Sequence, residues 1–147
     1  MDLELEGRVA VVTGGSQGIG RAIALVLAEE GADVVLVARR RPGLESVAGE
    51  IATLGRRAEV VEADVTVPAP VGAIVAAAVE RFGRVDVLVN NAGKGGPKPL
   101  HELTDDDWHA SIELNLLSAV RLARACVPMM RAQRWGRILN IASRVGI

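Results

Sequence analysis

Five short runs of apolar residues, rich in valine and isoleucine, recur along the chain and limit its fold more than any other feature. They occupy residues 8–13, 33–38, 58–63, 85–90 and 136–142. A nearly uninterrupted apolar run predicts a β-strand that is covered on both faces. Between the runs, helical periodicity predicts helices over residues 18–30, 44–54, 68–82 and 104–134, the last bent near Pro128.

This alternation of strands and helices predicts an α/β fold, a doubly wound parallel sheet with helices on both faces. We expect five strands in the order 3-2-1-4-5, an arrangement known for such sheets. The 147 residues suffice for one hydrophobic core, and the sequence shows no internal repeat and no interdomain linker. A single domain spanning residues 1–147 is therefore expected.

Composition and charge narrow the classes of function. The formal net charge is -1 with acids and bases interspersed, which argues against a nucleic-acid surface. Apolar stretches are too short to span a bilayer, and Asp2, Glu4 and Glu6 stand where a signal peptide would be basic. The single cysteine, Cys126, cannot form an internal disulfide. We therefore expect a cytoplasmic protein without nucleic-acid or membrane partners.

A glycine-rich segment, TGGSQGIG at residues 13–20, separates the first predicted strand from the first predicted helix. Glycines let the backbone approach a pyrophosphate closely, and the helix N-terminus supplies free N–H groups and a positive dipole end. The pattern predicts a Rossmann-type dinucleotide site, the alternative being a glycine-rich turn without a ligand. The candidate cofactor-binding residues are Thr13, Gly14, Ser16, Gln17, Gly18, Ile19 and Gly20.

The spacing of these glycines and four further features resemble the short-chain dehydrogenase/reductase family. Residues 90–93 (NNAG) follow the fourth strand, as the family's second signature does. Asp64 follows the third strand, where the family has an aspartate that contacts the adenine ring. Asn115 occupies the position of the asparagine that the family carries in its long helix, and Ser143 occupies the position of the family's catalytic serine. The resemblance covers residues 5–147 and adds five candidate cofactor-binding residues: Asp64, Val65, Asn91, Ala92 and Gly93.

The end of the second strand discriminates between NAD and NADP. An acidic residue there would bind a free ribose 2′-hydroxyl, whereas this chain has Ala38 followed by Arg39, Arg40 and Arg41. Arginine binds a 2′-phosphate with its planar fork, so NADP is favoured over NAD, with Arg39 as the best candidate. The alternative is that the arginines form a solvated turn. Gln17 stands where many NADP-preferring relatives carry a basic residue.

The resemblance implies hydride transfer between a nicotinamide and a small carbonyl or alcohol substrate. It implies that Ser143 orients the carbonyl oxygen and that Asn115 holds a water linked to a lysine. In the family a tyrosine exchanges the proton, and the lysine lowers its pKa. The sequence has no tyrosine, and the family's Y-x-x-x-K motif would follow Ser143. We therefore expect a truncated, inactive oxidoreductase that lacks the later strands and the substrate loops.

No other group is a strong candidate for the chemistry. His101 and His109 are expected at the surface, Cys126 in the core, and Trp108 and Trp135 in packing roles. The three aspartates at 105–107 lie in the first turn of a predicted helix, with Asp107 in the capping-box position behind Thr104. Helix capping explains them better than a metal site does, so no metal is expected.

Two functions follow from the sequence. One is an NAD(P)-dependent oxidoreductase whose chain here is incomplete, and the other is a non-catalytic NADP(H)-binding or interaction module. The absent segment would cover the fifth strand and the long helix, so we expect apolar positions there to lose cover and favour a homo-oligomer. These positions are Val120, Val127, Met129 and Met130.

Overall fold

The computed structural model describes residues 3–95 and 98–142. The strands are β1 Val9–Thr13, β2 Asp33–Ala38, β3 Ala58–Glu62, β4 Val87–Asn90 and β5 Arg137–Asn140. The α-helices are α1 Gly18–Glu29, α2 Arg41–Thr53, α3 Ala69–Phe82, α4 Asp105–Ile112 and α5 Ser118–Ala132. A short 3₁₀ helix, Leu100–Glu102, precedes α4, and a π-helical segment, Glu113–Leu117, joins α4 to α5.

The five strands form one parallel sheet in the order β3-β2-β1-β4-β5, which confirms the predicted topology. Successive side chains of β1 point to opposite faces of the sheet, because side chains alternate with a period of two residues along a strand. Val9 and Val11 belong to a core that α3 and α5 cover, whereas Ala10 and Val12 belong to a core that α1 and α2 cover. Helices therefore shield both faces of the central strands from water, which explains why the sequences of these strands are continuously apolar.

Several predicted boundaries were wrong, among them the end of the fifth strand, which lies at Asn140 rather than at residue 142. The single helix expected over 104–134 is two α-helices with the π-helical segment between them, and α5 runs through Pro128 to end at Ala132. Helix α2 begins at Arg41 rather than at residue 44, with Pro42 in its first turn, where its fixed φ and missing N–H are tolerated. The fourth strand begins at Val87 rather than at residue 85.

The apolar positions expected to lose cover divide into two groups. Val120 and Val127 on α5 are more than a third exposed, as predicted. For Met130 the expectation was wrong, because this side chain is buried against the backbone of Gly136, and Met129 is half-buried. All residues of β5 are exposed.

Across residues 3–95 and 98–142, no helix has the length and apolar character that a bilayer crossing requires.

Asp86 fixes the start of β4 against the start of β1. Its carboxylate is fully buried and accepts a hydrogen bond from the Val9 N–H at 2.9 Å. The same carboxylate accepts bonds from Arg8 at 3.2 Å and from two nitrogens of Arg84 at 2.6 and 2.7 Å. A buried carboxylate is tolerated only when it is paired and hydrogen-bonded, and here both conditions hold.

We predict that Asp86→Ala lowers the free energy of unfolding by about 3 kcal/mol, because it leaves a buried N–H unsatisfied and two guanidinium groups without their carboxylate. The matched control is Glu45→Ala, since Glu45 forms an exposed pair with Arg41 at 3.4 Å. That change should cost less than about 1 kcal/mol. Urea unfolding of the two variants measures the difference, and equal losses would contradict the role given to Asp86.

Candidate functional site

A cleft of about 530 Å³ opens at the carboxyl ends of the strands, where the strand order reverses between β1 and β4. Ligands of doubly wound sheets bind at such a reversal. The structure brings together in this cleft twelve of the residues proposed from sequence: Gly14, Ser16, Gln17, Gly18, Ile19, Gly20, Arg39, Asp64, Val65, Asn91, Ala92 and Gly93. Seven further residues that were not proposed as cofactor-binding also line the cleft: Val37, Ala38, Arg40, Ala63, Thr66, Lys94 and Leu114.

The glycine loop between β1 and α1 has the shape that a phosphate requires. Gly14 and Gly18 adopt left-handed backbone conformations with φ of +67° and +55°, which favour glycine. A Cβ on Gly20 would collide with the carbonyl oxygen of Gly14, so the helix packs on its own loop only with glycine there. A Cβ on Gly18 would instead enter open space. The backbone is thus accessible from the cleft at Gly18.

The N-terminus of α1 is left without a side-chain cap. Gln17 is the N-cap residue, and its side chain makes no capping hydrogen bond. The first turn of α1 contains no acidic residue that would neutralise the helix dipole. The first N–H groups of the helix are therefore available to an anion, and the loop fits the pyrophosphate of a dinucleotide.

Thr13 lies behind the cleft and connects its two walls. Its hydroxyl donates to the Val89 carbonyl at 3.3 Å and accepts from the N–H groups of Asn91 and Ala92, both at 3.0 Å. The Asn91 amide in turn donates to the carbonyls of Thr13 at 3.0 Å and Gly14 at 3.4 Å. The segment after β4 is thereby held against the glycine loop.

At the other end of the cleft, Asp64 faces the arginine-rich end of β2. Its carboxylate accepts from the Thr66 hydroxyl at 2.7 Å and from the Thr66 N–H at 2.9 Å. These bonds, together with the positive charge of Arg39, hold the pKa of Asp64 below its ordinary value. The carboxylate is therefore ionised at neutral pH and bonded within its own turn.

Glu62 is a second acid near the end of β2 and was missed by the sequence reasoning. Its carboxylate accepts a hydrogen bond from the Arg41 N–H at 2.8 Å and so caps the start of α2. It pairs in register with Ala38, one strand away. No local pattern predicts this cap, because residues 41 and 62 lie on different elements.

Asn115 lies in the π-helical segment and does not line the cleft itself. Its carbonyl oxygen accepts from the Lys94 N–H at 3.1 Å, and its amide donates to the Lys94 carbonyl at 3.2 Å. The same amide donates to the carbonyl and the hydroxyl of Ser111, at 3.1 and 3.2 Å. Asn115 therefore fixes the backbone beside the cleft. Ser143 lies outside the described residues.

Among the remaining candidates, Asp107 and Cys126 have structural roles, whereas Trp108, expected in a packing role, is 47% exposed. Thr104 and Asp107 form the predicted capping box, and the Thr104 N–H and the Lys98 ammonium lower the pKa of Asp107 to about 2. Cys126 is fully buried, and burial raises the pKa of its thiol to about 11. In the described part of the chain, no three His, Cys, Asp or Glu side chains are grouped closely enough to hold a metal ion.

Known proteins match this chain over nearly its whole length. The 3-oxoacyl-[acyl-carrier-protein] reductase of Vibrio cholerae is 40% identical over 144 residues, which are 98% of this chain and 58% of the reductase. The crystal structure of L-sorbose reductase from Gluconobacter frateurii, complexed with NADPH and L-sorbose, superposes with a TM-score of 0.90 at 45% identity. The match covers 94% of this chain and 53% of the L-sorbose reductase chain.

A 7α-hydroxysteroid dehydrogenase, complexed with NADH and 7-oxo glycochenodeoxycholic acid, superposes with a TM-score of 0.92 at 37% identity. The match covers 97% of this chain and 55% of that enzyme. The chain thus spans little more than half the length of these relatives. The sequence profile of the short chain dehydrogenase family matches residues 8–147. With the fold, the glycine loop and the Thr13–Asn91 network in place, this match shows that the chain belongs to the short-chain dehydrogenase/reductase family.

Proposed function

We propose that the protein is an NADP(H)-dependent oxidoreductase and that the cleft is its cofactor site. The proposal rests on Ala38 and Arg39 at the end of β2, both of which line the cleft. An NAD-binding domain has an acidic residue at this point, and this chain does not. When bound, the nicotinamide would donate or accept a hydride at a carbonyl or alcohol carbon. The protein residues bind the dinucleotide and orient the reacting groups.

The charges around Arg39 favour a 2′-phosphate over a 2′-hydroxyl. Arg39 and Arg40 both line the cleft, and the two nearby acids are already engaged. Glu62 caps α2 through the Arg41 N–H, and Asp64 is bonded to Thr66. A dianionic phosphate would thus find a guanidinium fork and no free carboxylate among these groups.

The relatives support a nicotinamide dinucleotide without deciding between its two forms. L-Sorbose reductase is complexed with NADPH, whereas the 7α-hydroxysteroid dehydrogenase is complexed with NADH. The compounds complexed with them, 7-oxo glycochenodeoxycholic acid and L-sorbose, both carry a carbonyl group and hydroxyl groups. For this chain we propose Ser143 as the residue that orients such a carbonyl oxygen, and Asn115 as the residue that fixes the backbone at Lys94.

We predict that Arg39→Ala weakens NADPH binding about tenfold, because it removes a charge-assisted pair with the 2′-phosphate. NADH binding should change less than about twofold, since NADH lacks that phosphate. Arg124→Ala is the matched control: it removes the same charge from α5, away from the cleft. Isothermal titration of both cofactors measures the ratio, and equal weakening of NADPH and NADH would overturn the assignment of Arg39.

A second candidate function is NADP(H) binding without turnover. The observation that favours it is the complete absence of tyrosine from the 147 residues, because the family takes its proton from a tyrosine. Neither histidine replaces it, since His101 and His109 are both exposed and neither lines the cleft. As a molecule, the 147-residue chain would then be a cofactor-binding or interaction module.

We predict that the purified 147-residue chain binds NADPH but does not oxidise it in the presence of ketones, because the family's proton donor is a tyrosine and these residues include none. Fluorescence titration reports binding, and absorbance of the reduced nicotinamide reports turnover. Oxidation that depends on an added carbonyl compound and proceeds at enzymatic rates, about 1 s⁻¹ or more, would exclude the non-catalytic function.

A further inference from the structure

Lys94 stands at the end of the cleft opposite to Arg39. A dinucleotide whose adenosine half lies over the end of β2 extends across the strand-order reversal, so its nicotinamide half lies toward β4. The described residues that line the cleft after β4 and in the π-helical segment are Asn91, Ala92, Gly93, Lys94 and Leu114. Among these five residues only Lys94 carries a charge, because the other side chains are small, apolar or, in Asn91, a neutral amide.

The backbone of Lys94 is fixed without using its side chain. Asn115 accepts from its N–H at 3.1 Å and donates to its carbonyl at 3.2 Å, so one amide side chain pairs with both backbone groups. Asn115 is held in turn by Ser111, one turn earlier in the helix. The exposed side chain of Lys94 therefore extends from an anchored point of the loop, and its own charge is not used to hold that loop.

The ammonium of Lys94 has no carboxylate partner within residues 3–95 and 98–142. The nearby Lys98 differs, because its ammonium contacts Asp107 at 2.9 Å. In open water an unpaired lysine costs nothing, but a bound dinucleotide would remove water from this end of the cleft. A desolvated cation without a counter-charge is unfavourable, so the site becomes complete only when an anion arrives.

We propose that Lys94 binds an anionic group of the substrate, a carboxylate or a phosphate, at the nicotinamide end of the cleft. This inference rests on the proposed cofactor site. The cofactor's own phosphates are accounted for elsewhere, by the glycine loop and by Arg39. The nicotinamide ring offers no anion: it is neutral when reduced and positive when oxidised. Lys94 therefore repels the oxidised ring and attracts an acidic carbonyl compound, such as a 3-oxo acid or a phosphorylated ketone.

The test is isothermal titration of the 147-residue chain and its Lys94→Met variant. The cofactor probes are NADPH and NADP⁺. The substrate probes, added to protein saturated with NADPH, are acetoacetate, dihydroxyacetone phosphate and the neutral methyl acetoacetate. Lys98→Met is the matched control, because it removes an equal charge that Asp107 already neutralises. These are binding measurements, so they do not depend on turnover.

In Lys94→Met we expect at least one anionic probe to bind about tenfold more weakly, while methyl acetoacetate binds unchanged. Loss of acetoacetate alone assigns a carboxylate, and loss of dihydroxyacetone phosphate alone assigns a phosphate. NADP⁺ should bind a few-fold more tightly because a repulsion is removed, and NADPH should stay within about twofold. Lys98→Met should leave every constant unchanged.

Four outcomes overturn the inference. If NADPH and NADP⁺ both weaken equally in Lys94→Met, Lys94 binds a phosphate of the cofactor and not the substrate. If the parent chain binds the anionic probes no better than methyl acetoacetate, or the variant binds them equally well, the proposed anion site does not exist. If the parent chain fails to bind NADPH at all, the proposed cofactor site falls and this inference falls with it.

Discussion

The hydroxyl of Thr13 is the contact on which the rest of the cleft depends. A threonine hydroxyl has one donor and two acceptor positions, and here all three are used, by Val89, Asn91 and Ala92. Because Thr13 ends β1, while Val89 lies in β4 and the other two residues follow it, these bonds tie together the two strands at which the strand order reverses. Asp86 secures the opposite ends of the same strands. The glycine loop and the NNAG segment are therefore held together as the two walls of the cleft.

The features that the sequence could predict are those with a local physical cause. Continuous apolar runs gave the buried strands, and the glycine loop between a strand and a helix gave the position of the cleft. The capping box at Thr104 is equally local, since both partners lie within one turn. The start of α2 involves a distant group as well, since the Glu62 carboxylate on β3 accepts the N–H of Arg41, the first residue of the helix.

The π-helical segment shows why other features of the fold and the cleft could not be predicted from the sequence. Its apolar spacing resembles that of an α-helix, so a single helix was predicted over residues 104–134. The segment instead contains Asn115, which pairs with the backbone of Lys94, 21 residues earlier. It also contains Glu113, which pairs with Arg121 at 2.6 Å, while Arg121 reaches the Thr66 carbonyl at 3.4 Å. Contacts of this kind join segments that carry no common pattern.

The cleft combines fixed loops with basic side chains, and under the proposed function this would explain how a protein of net charge -1 selects anionic ligands. The loop at Lys94 is anchored by a neutral amide, and the turn at Arg41 by its backbone N–H. In both places the backbone is fixed while the basic side chains beside the cleft are left for a ligand. An arginine or lysine used as an anchor would already be neutralised, as Lys98 is by Asp107. In the proposed site, selectivity would therefore depend on which groups anchor the backbone, because the local potential and not the net charge determines which ligands bind.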